Sequence, residues 1–330
     1  MILGTLVLTG RVVRALLGLD ECMAAVEAAF RDQAEGRTWP AGMMTVHAGE
    51  GGFHVKTAGL VRERPYFAAK LNSNFPGNPE RSGLPTIQGV VALCDGENGR
   101  LLALLDSIEI TLLRTGAATA VAAKYLARRD AHVATICGCG VQGRVQLRAL
   151  KSVLPLESVR VHDADRARAL RFAEEMGKEL CLDVRSAPSL EDAVRGTEVC
   201  VTCTPSRQAF LMKDHVAPGT FVAAVGADNP SKQELDPQLM SSATVVVDVL
   251  DQCASSGDLH HALDAGAMRR EDVHAELADV IVGRKRGRGS RDEITVFDST
   301  GTALEDVAAA VAVYERALSA GVGLAVALGD

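Results

Sequence analysis

The sequence predicts an α/β protein of about two domains, and three observations carry this. Its 330 residues divide, at roughly 150 per domain, into two. From Ala131 onward, short apolar runs alternate with helical text, which is the pattern of a parallel sheet flanked by helices. Before that, between residues 38 and 105, the runs are broken by Gly, Pro and Asn, as in a mostly antiparallel sheet. Hydrophobic residues make up 47%, charged residues 23% and aromatics 4%. This balance excludes disorder and indicates a core packed with aliphatic side chains. The few aromatics also argue against a stacking platform for carbohydrate or single-stranded nucleic acid. With 35 basic and 42 acidic residues the net charge is −7, so a polyanion is repelled and nucleic acid is not expected as a partner.

In chain order, TLVLT reads as a strand. A helix follows, opened by Asp20 and Glu21, with Cys22, Val26 and Phe30 on one face and Gly36 ending it. FHVKTAG, YFAAKLNSN, PTIQGVVALCD and LLALLD read as strands, and Thr111 to Leu126 as a helix whose alanines suit tight packing. Then HVATIC, VRVHD, CLDVRS and EVCVTC read as strands, separated by the helices VQLRALKSV, RARALRFAEEMG and SLEDAVRG. TFVAAVG and ATVVVDV continue the sheet, with a helix around DVHAELADVIVG. Residues 283–291, GRKRGRGSR, hold five basic residues and three glycines and read as a solvated loop. The closing helix, LEDVAAAVAVYERAL, is expected to pack back on the N-terminal region.

No run of about 18 apolar residues occurs, and the opening lacks a secretory leader's pattern, so no membrane partner and a cytoplasmic location are expected. Of eight cysteines, Cys94, Cys137 and Cys200 lie inside apolar runs, which indicates free buried thiols. Cys137-x-Cys139 and Cys200-x-x-Cys203 have no second pair at zinc spacing, and His260 and His261 read as a helix entry or rim, so no metal is expected.

The strand HVATIC runs into Gly138-Cys139-Gly140-Val141-Gln142-Gly143 and directly into a helix. This G-x-G-x-x-G, in that context, is the dinucleotide-binding turn of a Rossmann domain: one glycine for the turn, one for approach of the pyrophosphate, one for helix packing. Asp163, twenty residues after Gly143 at the end of the next strand, suits the adenosine ribose hydroxyls. It would repel a 2′-phosphate, so NAD is favoured over NADP, although Arg166 and Arg168 stand nearby. The segments Thr202-Cys203-Thr204-Pro205-Ser206 and Val225-Gly226-Ala227-Asp228-Asn229-Pro230 leave strand ends on the same side of the sheet. Asp228 is therefore a candidate general base, against the reading of a simple turn former. Lys70 and Arg114 are cations in apolar text and each needs an anion. A substrate carboxylate or a salt bridge to Asp106 or Glu109 answers that need equally well from spacing alone.

AAKLNSNFPGNP, SGLPTIQG, LLALLDSIEITLLRTGAATAVAAKYLAR, GCGVQG, TCTPS, VGADNPSKQELDPQL and EITVFDSTGTALEDVAAA resemble, in order and spacing, the ornithine cyclodeaminase/mu-crystallin family over nearly the whole chain. RTGAATAVAAKYLAR, GADNPSKQELD and FDSTG look most like its archaeal-type alanine dehydrogenase branch. The resemblance implies a Rossmann NAD domain over 119–301 and an α+β substrate and dimerisation domain from 1–118 and 302–330, in a homodimer whose sheets close into a barrel. It places the substrate carboxylate on Lys70 and Arg114 and the catalytic aspartate on Asp228, with Lys70 a possible acid/base partner. It places the cofactor on Arg114, Thr115, Gly138 to Gln142, Asp163, Thr202, Cys203, Thr204, Val225, Asp228, Asp298, Ser299 and Thr300. Cyclodeaminases carry a glutamate about thirteen residues before the lysine. Here the text is Phe53-His54-Val55-Lys56-Thr57, so His54 and Lys56 indicate a different substrate end, a second carboxylate or an imine. The expected activity is hydride transfer to or from the α-carbon of a small amino or imino acid, the partner being that acid or its 2-oxo acid. Cyclodeamination with release of ammonia is the first alternative, and a mu-crystallin-type binder without turnover the second.

Overall fold

The computed structural model describes residues 4–328; positions 1–3 and 329–330 of the expected end domain lie outside them. The chain divides into two compact units, one made from residues up to 114 and from 302 onward, the other from Thr115–Gly301. The division falls at Arg114 rather than after residue 118.

The first unit opens with β1 (Thr5–Leu8), α1 (Gly10–Leu16), a short helix the sequence did not announce, and α2 (Leu19–Ala34). Cys22, Val26 and Phe30 form the buried stripe of α2, as their spacing predicts. Next come β2 (Thr38–Ala48), β3 (Gly51–Leu60), β4 (Tyr66–Asn74), α3 (Asn78–Ser82), β5 (Ile87–Asp95) and β6 (Leu101–Asp106). Neighbouring strands from β2 to β6 pair antiparallel. α4 (Ser107–Leu126) starts ahead of the expected Thr111. The Asp106 carboxylate accepts the backbone N–H groups of Ile108 and Glu109 and so caps its first turn.

The second unit contains β7 (Val133–Cys137), α5 (Val141–Val153), β8 (Ser158–His162), α6 (Arg166–Leu180), β9 (Asp183–Ser186), α7 (Leu190–Val194) and β10 (Val199–Thr202). It continues with β11 (Arg207–Leu211), β12 (Phe221–Ala224), β13 (Gln233–Leu235), α8 (Pro237–Ser241), β14 (Thr244–Val247), α9 (Leu250–Ser256), α10 (Asp258–Asp264), β15 (Ala275–Glu276), α11 (Leu277–Ile281) and β16 (Thr295–Asp298). Eight of these strands form a sheet in the order β15-β14-β16-β12-β10-β7-β8-β9, every pairing parallel. The run from β9 to β16 is the doubly wound Rossmann order, with its switch point between β7 and β10. The helix expected around DVHAELADVIVG is broken, only α11 being helical after the two residues of β15.

The chain then returns to the first unit through α12 (Ala303–Ala320) and β17 (Leu324–Val326). The sheet there runs β17-β1-β6-β5-β4-β3-β2, and α12 packs on α2, β3 and β4. Register sets Lys56, Lys70, Val91, Leu105 and Leu8 side by side across β3, β4, β5, β6 and β1, so they point to one face. Met44, Val46, Phe53 and Leu71 point to the other face and are exposed.

Residues 283–291 are irregular and mostly exposed, as expected of a solvated loop, but Arg288 is only partly exposed. Its guanidinium donates to the Leu126 carbonyl at 2.8 Å, the Thr220 carbonyl at 3.3 Å and the Thr295 hydroxyl at 2.9 Å, tying the loop to the sheet. Arg288→Met leaves these partly buried acceptors short of a donor, at about 1–3 kcal/mol. Thermal unfolding is expected to show a clear fall in Tm for that variant and none for Lys285→Met in the same loop.

Candidate active site

In the second unit, the turn between β7 and α5 has the shape a dinucleotide needs. Gly138 has φ +108°, and a Cβ there would stand 2.7 Å from the Cys203 carbonyl oxygen. A Cβ on Gly143 would stand 2.1 Å from the Gly138 carbonyl, so only glycine lets α5 approach. At Gly140 the space is open. Gly140 is the N-cap of the 13-residue α5 and supplies no side-chain cap, which leaves the helix's first N–H groups and positive dipole end for an anion. These residues fit a pyrophosphate.

Asp163 stands at the end of β8. Its carboxylate accepts the N–H of Cys139 at 2.8 Å and that of Asp165 at 2.8 Å, so it holds the glycine turn. Arg168 lies 3.7 Å from it and 3.8 Å from Asp165. The segments after β10, β12 and β16 leave the same sheet edge as this turn. Asp228 is exposed, accepts from Asn229 at 3.2 Å and pairs with Lys232 at 2.7 Å. Thr202 is buried, while Cys203 and Thr204 are partly so. The Cys203 thiol donates to the Gly138 carbonyl at 3.3 Å, and burial pushes it up and keeps it a thiol. Burial likewise pushes Cys139 up to about 12.

Asp298, Ser299 and Thr300 are buried, with their side chains turned inward. Asp298 accepts the N–H groups of Asp258 and Leu259 at the start of α10, and the two hydroxyls donate to Asp248. Beneath the strand ends lie further buried carboxylates that sequence reasoning missed: Glu234, Asp248 and Asp258. Burial, followed by the nearby Asp258, raises Glu234 to about 7. Burial raises Asp258 to about 6, and Asp298 is raised by burial and then by Asp258. Their signal in the text is an acid set in an apolar run, as Asp248 is in VVVDV.

In the first unit, Lys70 and Arg114 are brought together at the start of α12. Lys70 Nζ is 2.6 Å from Asp306, and Arg114 lies 2.9 Å from Glu305 and 3.2 Å from Asp306. All four are buried. Asp106 and Glu109, the partners the spacing suggested, are engaged elsewhere: Asp106 caps α4 and Glu109 pairs with Arg14. The carboxylates have a local reason for their place. Thr302 and Glu305 form a capping box, and acids are favoured in a helix's first turn. The T-x-x-E opening an apolar run was their signal in the sequence. Burial, together with Arg114 and Lys56, lowers Lys70 to about 8 against the opposing effect of Asp306. Lys70, with help from Arg114 and Lys56, keeps Asp306 below its usual value despite burial. Lys56 is the cross-strand partner of Lys70. Lys56, only partly buried, adds a third cation beside the Lys70–Asp306 and Arg114–Glu305 pairs. His54 follows on the same face, its ring nitrogen 3.1 Å from the Thr45 hydroxyl.

The model of the ornithine cyclodeaminase/mu-crystallin family matches residues 4–321. The chain belongs to that family. Among its relatives, alanine dehydrogenase of Archaeoglobus fulgidus is 40% identical over 321 residues, covering 97% of each chain. A solved archaeal alanine dehydrogenase dimer with bound NAD superimposes with a TM-score of 0.93 at 40% identity, over 98% of each chain. Thermococcus litoralis Δ1-pyrroline-2-carboxylate reductase, solved with NADH and L-proline, gives 0.93 at 33% identity, over 98% of this chain and 100% of that one. The family assignment agrees with the Rossmann order of the second unit and with its NAD-shaped turn. His260 and His261 of α10 face Asp264 and the Lys232 carbonyl. Among the described residues no group of three or more His, Cys, Asp or Glu side chains could hold a metal ion.

The two glycines make separate predictions. Gly140→Ala has room within the chain and keeps Tm, while its methyl obstructs the pyrophosphate, so the Kd for NADH measured by fluorescence rises about tenfold or more, the cost of roughly one lost strong contact. Gly143→Ala collides with backbone and lowers Tm itself.

Proposed function

We propose that the chain is an NAD(H)-linked oxidoreductase acting on the CH–NH or C=N group of a small amino or imino acid. The dinucleotide, when bound, supplies or accepts the hydride at the α-carbon. The observation that carries the reading is that Lys70 and Arg114, two buried cations, are brought side by side at the first turn of α12, a donor pair suited to a substrate carboxylate. Arg114 presents a planar donor set to a carboxylate, and Lys70 a point charge. His54 and Lys56, on the same face, serve the rest of the substrate. Asp228 exchanges the proton on nitrogen: as hydride reaches the carbon of a C=N bond, the nitrogen takes a proton, and in the reverse direction it gives one up. Lys232, ion-paired with Asp228, orients that carboxylate. The names of the relatives, alanine dehydrogenase and Δ1-pyrroline-2-carboxylate reductase, support the same chemistry. The exposed apolar face of Met44, Val46, Phe53 and Leu71 suits a second copy of this chain, and the archaeal alanine dehydrogenase it resembles is a dimer.

A panel of 2-oxo acids with ammonia or methylamine, and of cyclic imines, tests the reading directly. NADH consumption by one of them is expected. Ammonia release from a diamino acid without net change in NADH would instead make the chain a cyclodeaminase, and tight NADH binding with no turnover a binder. Asp228→Asn is expected to lower kcat by roughly 10²–10⁴-fold with the Kd for NADH unchanged; an unchanged kcat removes Asp228 from the chemistry.

The pH dependence follows from Lys70. With a folded value of about 8, it is charged below that pH and loses its charge above it. The KM for the acid substrate is therefore expected to climb as pH rises through 8, while the Kd for NADH stays level. Between about 8 and the unfolded value near 10.5 the unfolded chain binds the extra proton, so this group's contribution to stability rises with pH across that window. Steady-state kinetics and thermal unfolding over that range give the two opposite trends.

A further inference from the structure

Two loops at the edge of the Rossmann sheet are tied together by one buried side chain. Glu234, in β13, is fully buried. One of its carboxylate oxygens accepts the Thr204 N–H at 2.6 Å and the Thr204 hydroxyl at 2.7 Å. The other accepts the Gly226 N–H at 2.9 Å. A Cβ on Gly226 would lie 2.5 Å from that carboxyl, so the contact requires glycine there. Asp228 is two residues further along the same loop. Glu234 is held in turn by α10, where Asp258 accepts the N–H groups of Glu234 and Leu235 at 2.8 and 2.9 Å, and Asp298 accepts the N–H groups that open α10.

We propose that Glu234 is a positioning residue: as a carboxylate it clamps Thr204 and Gly226, and this clamp sets where Asp228 stands for proton exchange. The proposal rests on the oxidoreductase reading above. Three donors converge on two oxygens. A protonated carboxyl loses its charge and turns one of those oxygens into a donor, so the charge-assisted contacts weaken, the Thr204 hydroxyl must reverse to accept, and the clamp loosens. The groups that face Glu234 are Asp258 from α10, the Thr202 and Thr204 side chains after β10, and the thiols of Cys137 and Cys203 at the ends of β7 and β10. Both thiols are pushed up by their surroundings and are neutral near pH 7. Burial and Asp258 together bring Glu234 to about 7, so the carboxylate, and the clamp with it, is lost as pH falls through that value.

Asp258→Asn separates this from a merely structural role. Asparagine keeps an oxygen for the N–H groups of residues 234 and 235 but removes the like charge, so Glu234 ionises more readily. The acid limb of the kcat profile is expected to move down by about one pH unit in this variant, the size of a typical neighbouring-charge effect. Glu234→Gln aims an amide at the Gly226 N–H; kcat is expected to fall roughly ten- to hundredfold, the scale of a small misplacement of a catalytic group, and its acid limb to vanish. An acid limb that stays in place in Asp258→Asn, or full kcat in folded Glu234→Gln, overturns the proposal. Amide resonances of Thr204 and Gly226 in the wild-type protein report the same clamp without turnover. Both are expected to titrate together near pH 7 and at lower pH in Asp258→Asn, and flat resonances overturn the clamp whatever the substrate. Failure of every compound in the substrate panel, with these resonances titrating as expected, would instead fault the oxidoreductase reading and leave the clamp standing.

Discussion

Burying cations on the sheet face of the first unit sets the constraint on which the rest depends. An unpaired ammonium or guanidinium in such a place costs several kcal/mol, and the chain answers with Glu305 and Asp306 at the first turn of α12. That helix is where a carboxylate is cheapest to hold, because the capping box and the dipole favour it. Lys56 and Lys70 sit directly across from each other on neighbouring strands, an arrangement of like charges that is unfavourable by itself. Under the proposed reading an incoming carboxylate relieves that repulsion, which ties ligand binding to the same charge arrangement.

The second unit solves a related problem with acids. Its strand ends must present loops to a ligand while leaving few backbone donors unsatisfied, and buried carboxylates accept those donors. Asp248 takes the N–H groups of Val249 and Gly301, Asp298 those that open α10, and Glu234 those of Thr204 and Gly226. Several of these acids are raised by burial and by one another. The scaffold under the loops is therefore sensitive to pH near neutrality, whereas the glycine turn above Asp163 is held by backbone geometry.

What was legible in the sequence was local. Gly138, Gly140, Gly143 and Asp163 could be placed because a turn between a strand and a helix is specified within about thirty residues. Lys70 and Arg114 could be singled out as charges in apolar text, but their partners could not, because Glu305 lies 191 residues from Arg114 and nothing in the spacing links them. The anchoring of the exposed 283–291 loop by Arg288 could not be read for the same reason, its acceptors being Leu126, Thr220 and Thr295. The short elements β11, β13, α8, α9 and α10 have too few residues to show a period, and with them went Glu234 and Asp258. The motif did not tell where the side chains of Asp298, Ser299 and Thr300 point, which is to α10 and Asp248; direction of a side chain after a strand depends on the neighbouring strand.

The central claim of the proposed reading is that a substrate carboxylate binds beside Lys70. Titration calorimetry of an unreactive monocarboxylate, repeated at a pH just above 8 in buffers of different ionisation enthalpy, tests this most directly. If the anion lodges there, it stabilises the ammonium form of Lys70 and binding draws a proton from the buffer, giving a heat that varies linearly with the buffer's ionisation enthalpy. Binding with the same heat in every buffer would contradict the account.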